Sequence, residues 1–64
     1  MKIKFFKDVE VDMIDKFEEV TLKKFRRGQI VEVVKVDQNG PYADVELPNG
    51  ELLTMVDSSL FQLV

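Results

Sequence analysis

The stretch Phe25-Arg26-Arg27-Gly28-Gln29-Ile30-Val31-Glu32-Val33-Val34 decides the fold class of this chain. Gly28 offers a bend, and Ile30 to Val36 is then dense in β-branched residues, whose stiff side chains suit a pleated sheet and slightly disfavour helix. The run predicts the central strand of a sheet. Downstream, Asp37-Gln38-Asn39-Gly40-Pro41 supplies a turn, with Asn39-Gly40 able to take positive φ and Pro41 unable to donate to a ladder. Tyr42 to Leu47 alternates into the next strand, with Tyr42, Asp44 and Glu46 on one face and Ala43, Val45 and Leu47 on the other. Pro48-Asn49-Gly50 turns the chain into a further strand over 51–56. Asp57-Ser58-Ser59-Leu60 reads as a single helical turn begun by Asp57, and Phe61 to Val64 closes as a short strand.

Upstream of the opening stretch, residues 2–13 read as extended. Ile3 and Phe5 alternate with lysines, then Val9, Val11 and Met13 alternate with Asp8, Glu10 and Asp12. The phase changes at Phe6-Lys7, which marks a bend or bulge. From Asp12 to Lys24 two readings stand. Ile14, Phe17 and Val20 are spaced for one helical face, with Asp12 as a cap and Asp15 three residues on, whereas Val20-Thr21-Leu22 alternates as a strand. A long structured loop is the expectation here, with a short helix as the alternative. Phe5, Phe17 and Phe61 are expected to fill the interior with Val33, Val45 and Leu53. Phe6, displaced by the phase change, is expected to face outward beside Ile3 or Ile14, where it would form a partner-binding or dimer patch. Five or six short strands, with turn signals roughly every eight to twelve residues, predict a small all-β barrel or sandwich forming one domain over 1–64, with a 3-10 turn near 57–60.

From Thr21 to Val64 the order of features resembles an SH3 domain. Leu22-Lys23-Lys24-Phe25-Arg26-Arg27-Gly28-Gln29-Ile30-Val31-Glu32-Val33-Val34 is similar to that family's segment in which an aromatic packs inward and a glycine makes the turn after two diverging strands. Gly40, Tyr42, the Pro48-Asn49-Gly50 hairpin and the ending Asp57–Leu63 fall where the family has a loop, a strand, a distal hairpin, a one-turn helix and a last strand. The resemblance implies an SH3-like barrel. It does not carry the peptide groove with it: the family's ligand-contacting tryptophan falls on Pro41, and the proline and tyrosine of its last motif fall on Asp57 and Leu60. Ser58 matches that motif, and Ser59 stands where it has asparagine. The family's opening motif finds no counterpart in residues 1–13. Asp15, Glu18 and Glu19 do resemble the loop carboxylates that pair with a ligand's arginine. The bacterial and phage SH3-like barrels, which keep the fold without the groove, are the closer comparison.

Composition narrows the function. A chain of 64 residues buries only about 60% of the surface it exposes unfolded, which leaves little room for a deep cleft. It contains no cysteine and no histidine, so no thiolate, disulfide or conventional neutral-pH base is available, and Ser58 and Ser59 have no activating partner in sequence. A non-enzymatic protein without a cofactor is the expectation. The charged opening Met1–Lys7 lacks the apolar core of a signal peptide and no run is long enough to cross a bilayer, so a cytoplasmic location without membrane contact is expected. Asp8, Glu10 and Asp12 share a strand face at spacing two but lack the calcium-loop pattern, and read as the wet side of a strand and not as a metal site.

The net charge of −3 opposes indiscriminate nucleic-acid binding, but the charge is segregated. Acids crowd residues 8–19, and Lys23, Lys24, Arg26 and Arg27 form a basic island. The leading expectation is a protein-interaction module, an accessory or inhibitory subunit, that binds a protein partner through the acidic loop 12–19 with Asp15, Glu18, Glu19 and Phe6. The alternative is a nucleic-acid-binding barrel that uses Lys23, Lys24, Arg26 and Arg27, with Phe25 for stacking if exposed. The plainer account of the island makes Phe25 core and the four cations a balance to the acids before it.

Overall fold

The computed structural model describes all 64 residues. The chain is all-β, with eight strands, β1 (Lys2–Phe5), β2 (Val9–Ile14), β3 (Val20–Phe25), β4 (Ile30–Glu32), β5 (Lys35–Asn39), β6 (Tyr42–Glu46), β7 (Leu52–Asp57) and β8 (Phe61–Leu63), and a 3-10 turn at Ser58–Leu60. They form two antiparallel sheets, β4-β1-β8 and β3-β2-β7-β6-β5. Eight pieces replace the five or six expected because the extended runs 2–13 and 30–36 are each cut where the chain leaves one sheet for the other, and 20–25 forms a full strand of its own.

The opening stretch contains the sharpest of those crossings. Val33 donates its N–H to the Met1 carbonyl at 2.8 Å, prolonging β4 on β1, while the next residue, Val34, donates to Glu46 at 2.8 Å and begins the pairing of β5 with β6. Two neighbouring amides thus stitch two different sheets together. The expected central strand is therefore two short edge strands, and Ile30, at 55% exposure, lies outside the core that Val33 enters. Continuous β-branching identifies extended backbone; it does not reveal that consecutive residues find partners in different sheets. The bend before it behaves as read. Gln29 donates to the Arg26 carbonyl at 2.9 Å, and Gly28, at φ +82°, holds the left-handed position of that turn.

The core is entirely apolar: Ile3, Phe5, Val9, Val11, Met13, Phe25, Val33, Ala43, Val45, Leu47, Leu53, Val56 and Phe61, with no buried polar side chain. Its centre is aromatic. Phe5 stacks on Phe25 at 4.8 Å between ring centroids and meets Phe61 edge-on at 6.2 Å, both favoured geometries for ring quadrupoles. Phe25 is core, as the plainer account of the basic island has it, whereas Phe17, expected in the interior, is 76% exposed.

The turn expected over 37–41 is shorter than read: Asp37, Gln38 and Asn39 belong to β5, and only Gly40, at φ +61° in the left-handed first position, and Pro41 form the two-residue turn that closes Asn39 against Tyr42. The helical turn at 57–60 forms as read. Asp57 caps the 3-10 turn, its Oδ1 accepting from the Ser59 amide at 3.0 Å and the Ser59 hydroxyl at 2.8 Å. These two bonds, the amide first, hold the Asp57 carboxyl below its ordinary pKa. Ser58 ties that turn to the β5–β6 hairpin, donating both its N–H and its hydroxyl to the Pro41 carbonyl and accepting from Gln38 Nε2 at 2.6 Å.

Candidate functional site

Residues 12–24 form neither a long loop nor a helix. They build an antiparallel hairpin in which Val9 to Ile14 of β2 pairs residue by residue with Phe25 to Val20 of β3, leaving only 15–19 as the connection. The spacing of Ile14, Phe17 and Val20 has another origin: Ile14 and Val20 face each other across the hairpin, and Phe17 stands at the tip midway between them. Asp12, expected as a cap or loop residue, lies within β2 opposite Leu22.

The tip is held by its first acid. Asp15 Oδ1 accepts the Phe17 amide at 2.8 Å and the Glu19 amide at 2.9 Å, while the Asp15 carbonyl accepts from Glu18 at 3.0 Å. Asp residues favour turns because the side chain can cap backbone donors in this way. One oxygen of its carboxylate, Oδ1, is thus taken up by the loop itself. Glu18 and Glu19 are exposed, and Glu18 sits at φ +64°, a left-handed conformation uncommon for a residue with a Cβ. Between Asp15 and Glu18, Phe17 projects into solvent with the Lys16 ammonium 5.4 Å from its ring centroid. A depression of about 340 Å³ lies at the other end of the hairpin, lined by Asp8, Val9, Glu10, Lys24, Phe25 and Arg26. A second, of about 300 Å³, lies beside the tip between Asp15, Lys16 and Phe17 and the neighbouring turn residues Asn49 and Glu51.

Phe6 is 43% exposed, as expected, but its neighbours are not Ile3 or Ile14. It shares an open depression of about 240 Å³ with Lys4, Phe5, Arg27 and Gly28. Ile3 is fully buried, and Ile14 lies at the far end of β2. The structure thus separates Phe6 from the acidic tip with which it was grouped and sets it among cations.

The basic island is dispersed. Adjacent residues of a strand point to opposite faces, so Lys23 and Lys24 cannot share a surface. Lys24 Nζ lies 3.6 Å from Glu10 Oε1, its cross-strand neighbour, in the one ion pair of the chain. Arg26 and Arg27 occupy the bend, where the Arg26 and Arg27 amides donate to Gln29 Oε1 and Asp8 Oδ1 at 3.0 and 2.8 Å. Phe25, only 4% exposed, is closed to any stacking role. The acids Asp8, Glu10 and Asp12 are all exposed, Glu10 and Asp12 on the wet side of β2 as expected; Asp8, just before the strand, binds the Arg27 amide, and Glu10 pairs with Lys24.

Sequence reading missed Phe17 as an exposed residue. The signal for it was present: a hairpin closes on acids and a lysine, and any aromatic placed among them at the turn has nothing to pack on. Comparison with protein-family models, with curated proteins and with solved structures gives no match. No helix of the chain is long and apolar enough to cross a membrane.

Proposed function

We propose that this chain is a non-enzymatic SH3-like barrel that binds another protein through the tip of the β2–β3 hairpin. Phe17 serves as the apolar anchor, and Glu18 and Glu19 as the charged rim. The observation that carries this reading is the 76% exposure of Phe17 on a loop whose backbone Asp15 has already fixed. An aromatic displayed on an ordered turn loses little conformational freedom on docking, and aromatics inserted into pockets dominate many interfaces. The matching partner surface is an apolar pocket bordered by lysine or arginine. The barrel assignment draws support from the bend at Gly28, the hairpin at 48–50 and the single-turn helix before the last strand, in the order that family has them.

Affinity capture from the native host tests this. Phe17→Ser should weaken retention of the captured protein by about thirty-fold, the effect of losing a hot-spot residue, and Glu18→Lys with Glu19→Lys should weaken it further in low salt, with the far-UV spectrum unchanged. Retention unaffected by either change removes the tip from the mechanism.

A second reading rests on the depression that joins Phe6 to Lys4 and Arg27. There an exposed aromatic beside cations suits a base and its phosphate better than Lys23, Lys24 and Arg26 do. It requires retention on single-stranded DNA or RNA that falls steeply with salt and is lost in Phe6→Ala. No retention at low ionic strength disposes of it.

A further inference from the structure

Strand β3 is the outermost strand of the five-stranded sheet and pairs with β2 alone. With six residues it is the longest of the four edge strands, and Val20 and Leu22 on it are 61% and 66% exposed. The direction of its backbone groups follows from the rung at the hairpin tip, where the Asp15 amide donates to the Glu19 carbonyl at 3.0 Å. Hydrogen-bonded pairs alternate along an antiparallel ladder, so the next bonded pair is Met13–Thr21. Thr21 directs its N–H and C=O at β2. Val20, Leu22 and Lys24 turn theirs outward, with no strand to receive them.

The side chains along that free edge have an unusual order. Glu18-Glu19-Val20-Thr21-Leu22-Lys23-Lys24 reads acid, acid, apolar, Thr, apolar, base, base, a palindrome about Thr21 with its charges inverted. A two-fold axis through Thr21 would lay β3 antiparallel to β3 of a second copy. Val20 then stands opposite Leu22 of the second copy, and both residues have the outward backbone groups that a bonded pair needs. Thr21 meets Thr21, and Lys23 meets Glu19 on one face of the joined sheet. Cross-strand apolar, Thr–Thr and opposite-charge pairs are each favourable. Neighbouring registers lose this match. An axis through Leu22 sets Lys23 against Thr21 and Lys24 against Val20; an axis through Val20 sets Lys24 against Lys16 and Leu22 against Glu18. In the single chain Lys23, Glu18 and Glu19 have no ionic partner, the one ion pair being Lys24–Glu10.

We propose that the chain self-associates as a two-fold dimer by antiparallel pairing of β3 with β3, joining two five-stranded sheets into one. This goes beyond the tip reading, because it uses the edge of the hairpin and identifies a second copy as its occupant. Pairing over so short a segment is smaller than a standard interface, so dissociation constants of about 10 to 500 μM are expected.

Sedimentation of the purified chain at low salt, up to about 1 mM, provides the test. The wild-type chain should show a concentration-dependent dimer that weakens as salt screens the pairs. Lys23→Glu and Glu19→Lys should each weaken association at least about ten-fold, because each sets like charges opposite one another at both symmetric positions. An equimolar mixture of the two variants should restore it, because positions 19 and 23 are both acidic in one variant and both basic in the other and so meet as opposite charges. Leu22→Pro removes an outward amide that β2 does not use and should give a folded monomer. A chain that stays monomeric throughout, or a mixture that fails to restore association, overturns the proposal. The measurement involves no host protein, so this failure leaves the tip reading to its own test.

Discussion

Phe17 and Phe25 offer the most direct trial of the structure, because the sequence alone gives them interchangeable claims on the core. Phe25 is 4% exposed and stacked on Phe5 at 4.8 Å. Replacing it with alanine removes a fully buried ring and leaves a cavity, a change that costs about 3–5 kcal/mol. A domain this small has about 3–5 kcal/mol of stability in all, so Phe25→Ala should be largely unfolded at room temperature. Phe25→Leu should survive with about 1–2 kcal/mol lost. Phe17, at 76% exposure, leaves only about a quarter of its surface covered. Of the roughly 1.5–3 kcal/mol that full burial of such a side chain is worth, about 0.4–0.7 kcal/mol is at stake. The exposed Lys16 contact adds about 0.5 kcal/mol. Phe17→Ala should therefore cost no more than about 1 kcal/mol. With no tryptophan in the chain, far-UV circular dichroism is the probe, and a urea slope near 1 kcal/mol/M translates these losses into a midpoint shift of at most about 1 M for Phe17→Ala. A Phe17→Ala variant that is largely unfolded, as Phe25→Ala should be with its loss of about 3–5 kcal/mol, would refute the exposure of Phe17 at the hairpin tip.

Three further outcomes follow from particular backbone and side-chain bonds. Glu18→Gly relieves a left-handed residue that costs roughly 1 kcal/mol or more, partly offset by glycine's greater unfolded freedom, so its urea midpoint should rise; a fall would show that Glu18 is unstrained at φ +64°. Val34→Pro deletes the amide that binds Glu46 at 2.8 Å at the sheet crossing and should destabilise by about 1–3 kcal/mol, whereas Val34→Thr, which keeps that amide on an exposed residue between β4 and β5, should change little. Asp57 binds Ser59 as a carboxylate and its folded pKa lies below the ordinary value near 3.9. Its contribution is therefore complete above that unfolded value and is lost as pH falls through the depressed one. Asp57→Asn should flatten the acid limb of a thermal-stability profile below about pH 4 while leaving the neutral limb parallel to wild type; an unchanged acid limb would remove Asp57 from acid unfolding.

What the sequence exposes clearly is what a strand or turn decides locally. Tyr42 to Leu47 alternates because its odd residues enter the core and its even residues face water, and the structure follows that alternation residue by residue. Gly28, Gly40 and the Asp57 cap are equally local, each set by a φ angle or a bond two residues away. The errors share one cause. Val33 and Val34 look like the middle of one strand because nothing in their chemistry records that Met1 and Glu46, distant in sequence, will claim their amides separately. Ile14, Phe17 and Val20 look helical because a hairpin and a helix can both return a side chain to the same face after three residues, and only the six-residue pairing with β2 separates them. The candidate site suffered from the same limit. The broken alternation at Phe6 shows that it faces outward but not what it faces, and the pairing of β1 with β4 sets it beside Arg27.

The division of labour along the β2–β3 hairpin supports looking for function there. β2 contributes Val9, Val11 and Met13 to the core, but β3 contributes Phe25 alone, its other five residues being exposed. Ordering each residue costs about 1–2 kcal/mol of backbone entropy, and β3 offsets this with one buried ring and the ladder to β2. A strand that existed only to complete the core would bury alternate residues, as β6 does with Ala43 and Val45. Thr21 and Lys23, which share the core-side face of the hairpin with Met13 and Val11, instead extend past the end of the core. Residues 17–24 thus carry little of the fold's stabilisation and present an exposed aromatic, a charge-inverted palindrome and a row of unpaired backbone groups. Substitutions along this segment should accordingly perturb association far more than folding, the reverse of what substitutions in β2 or β7 should do.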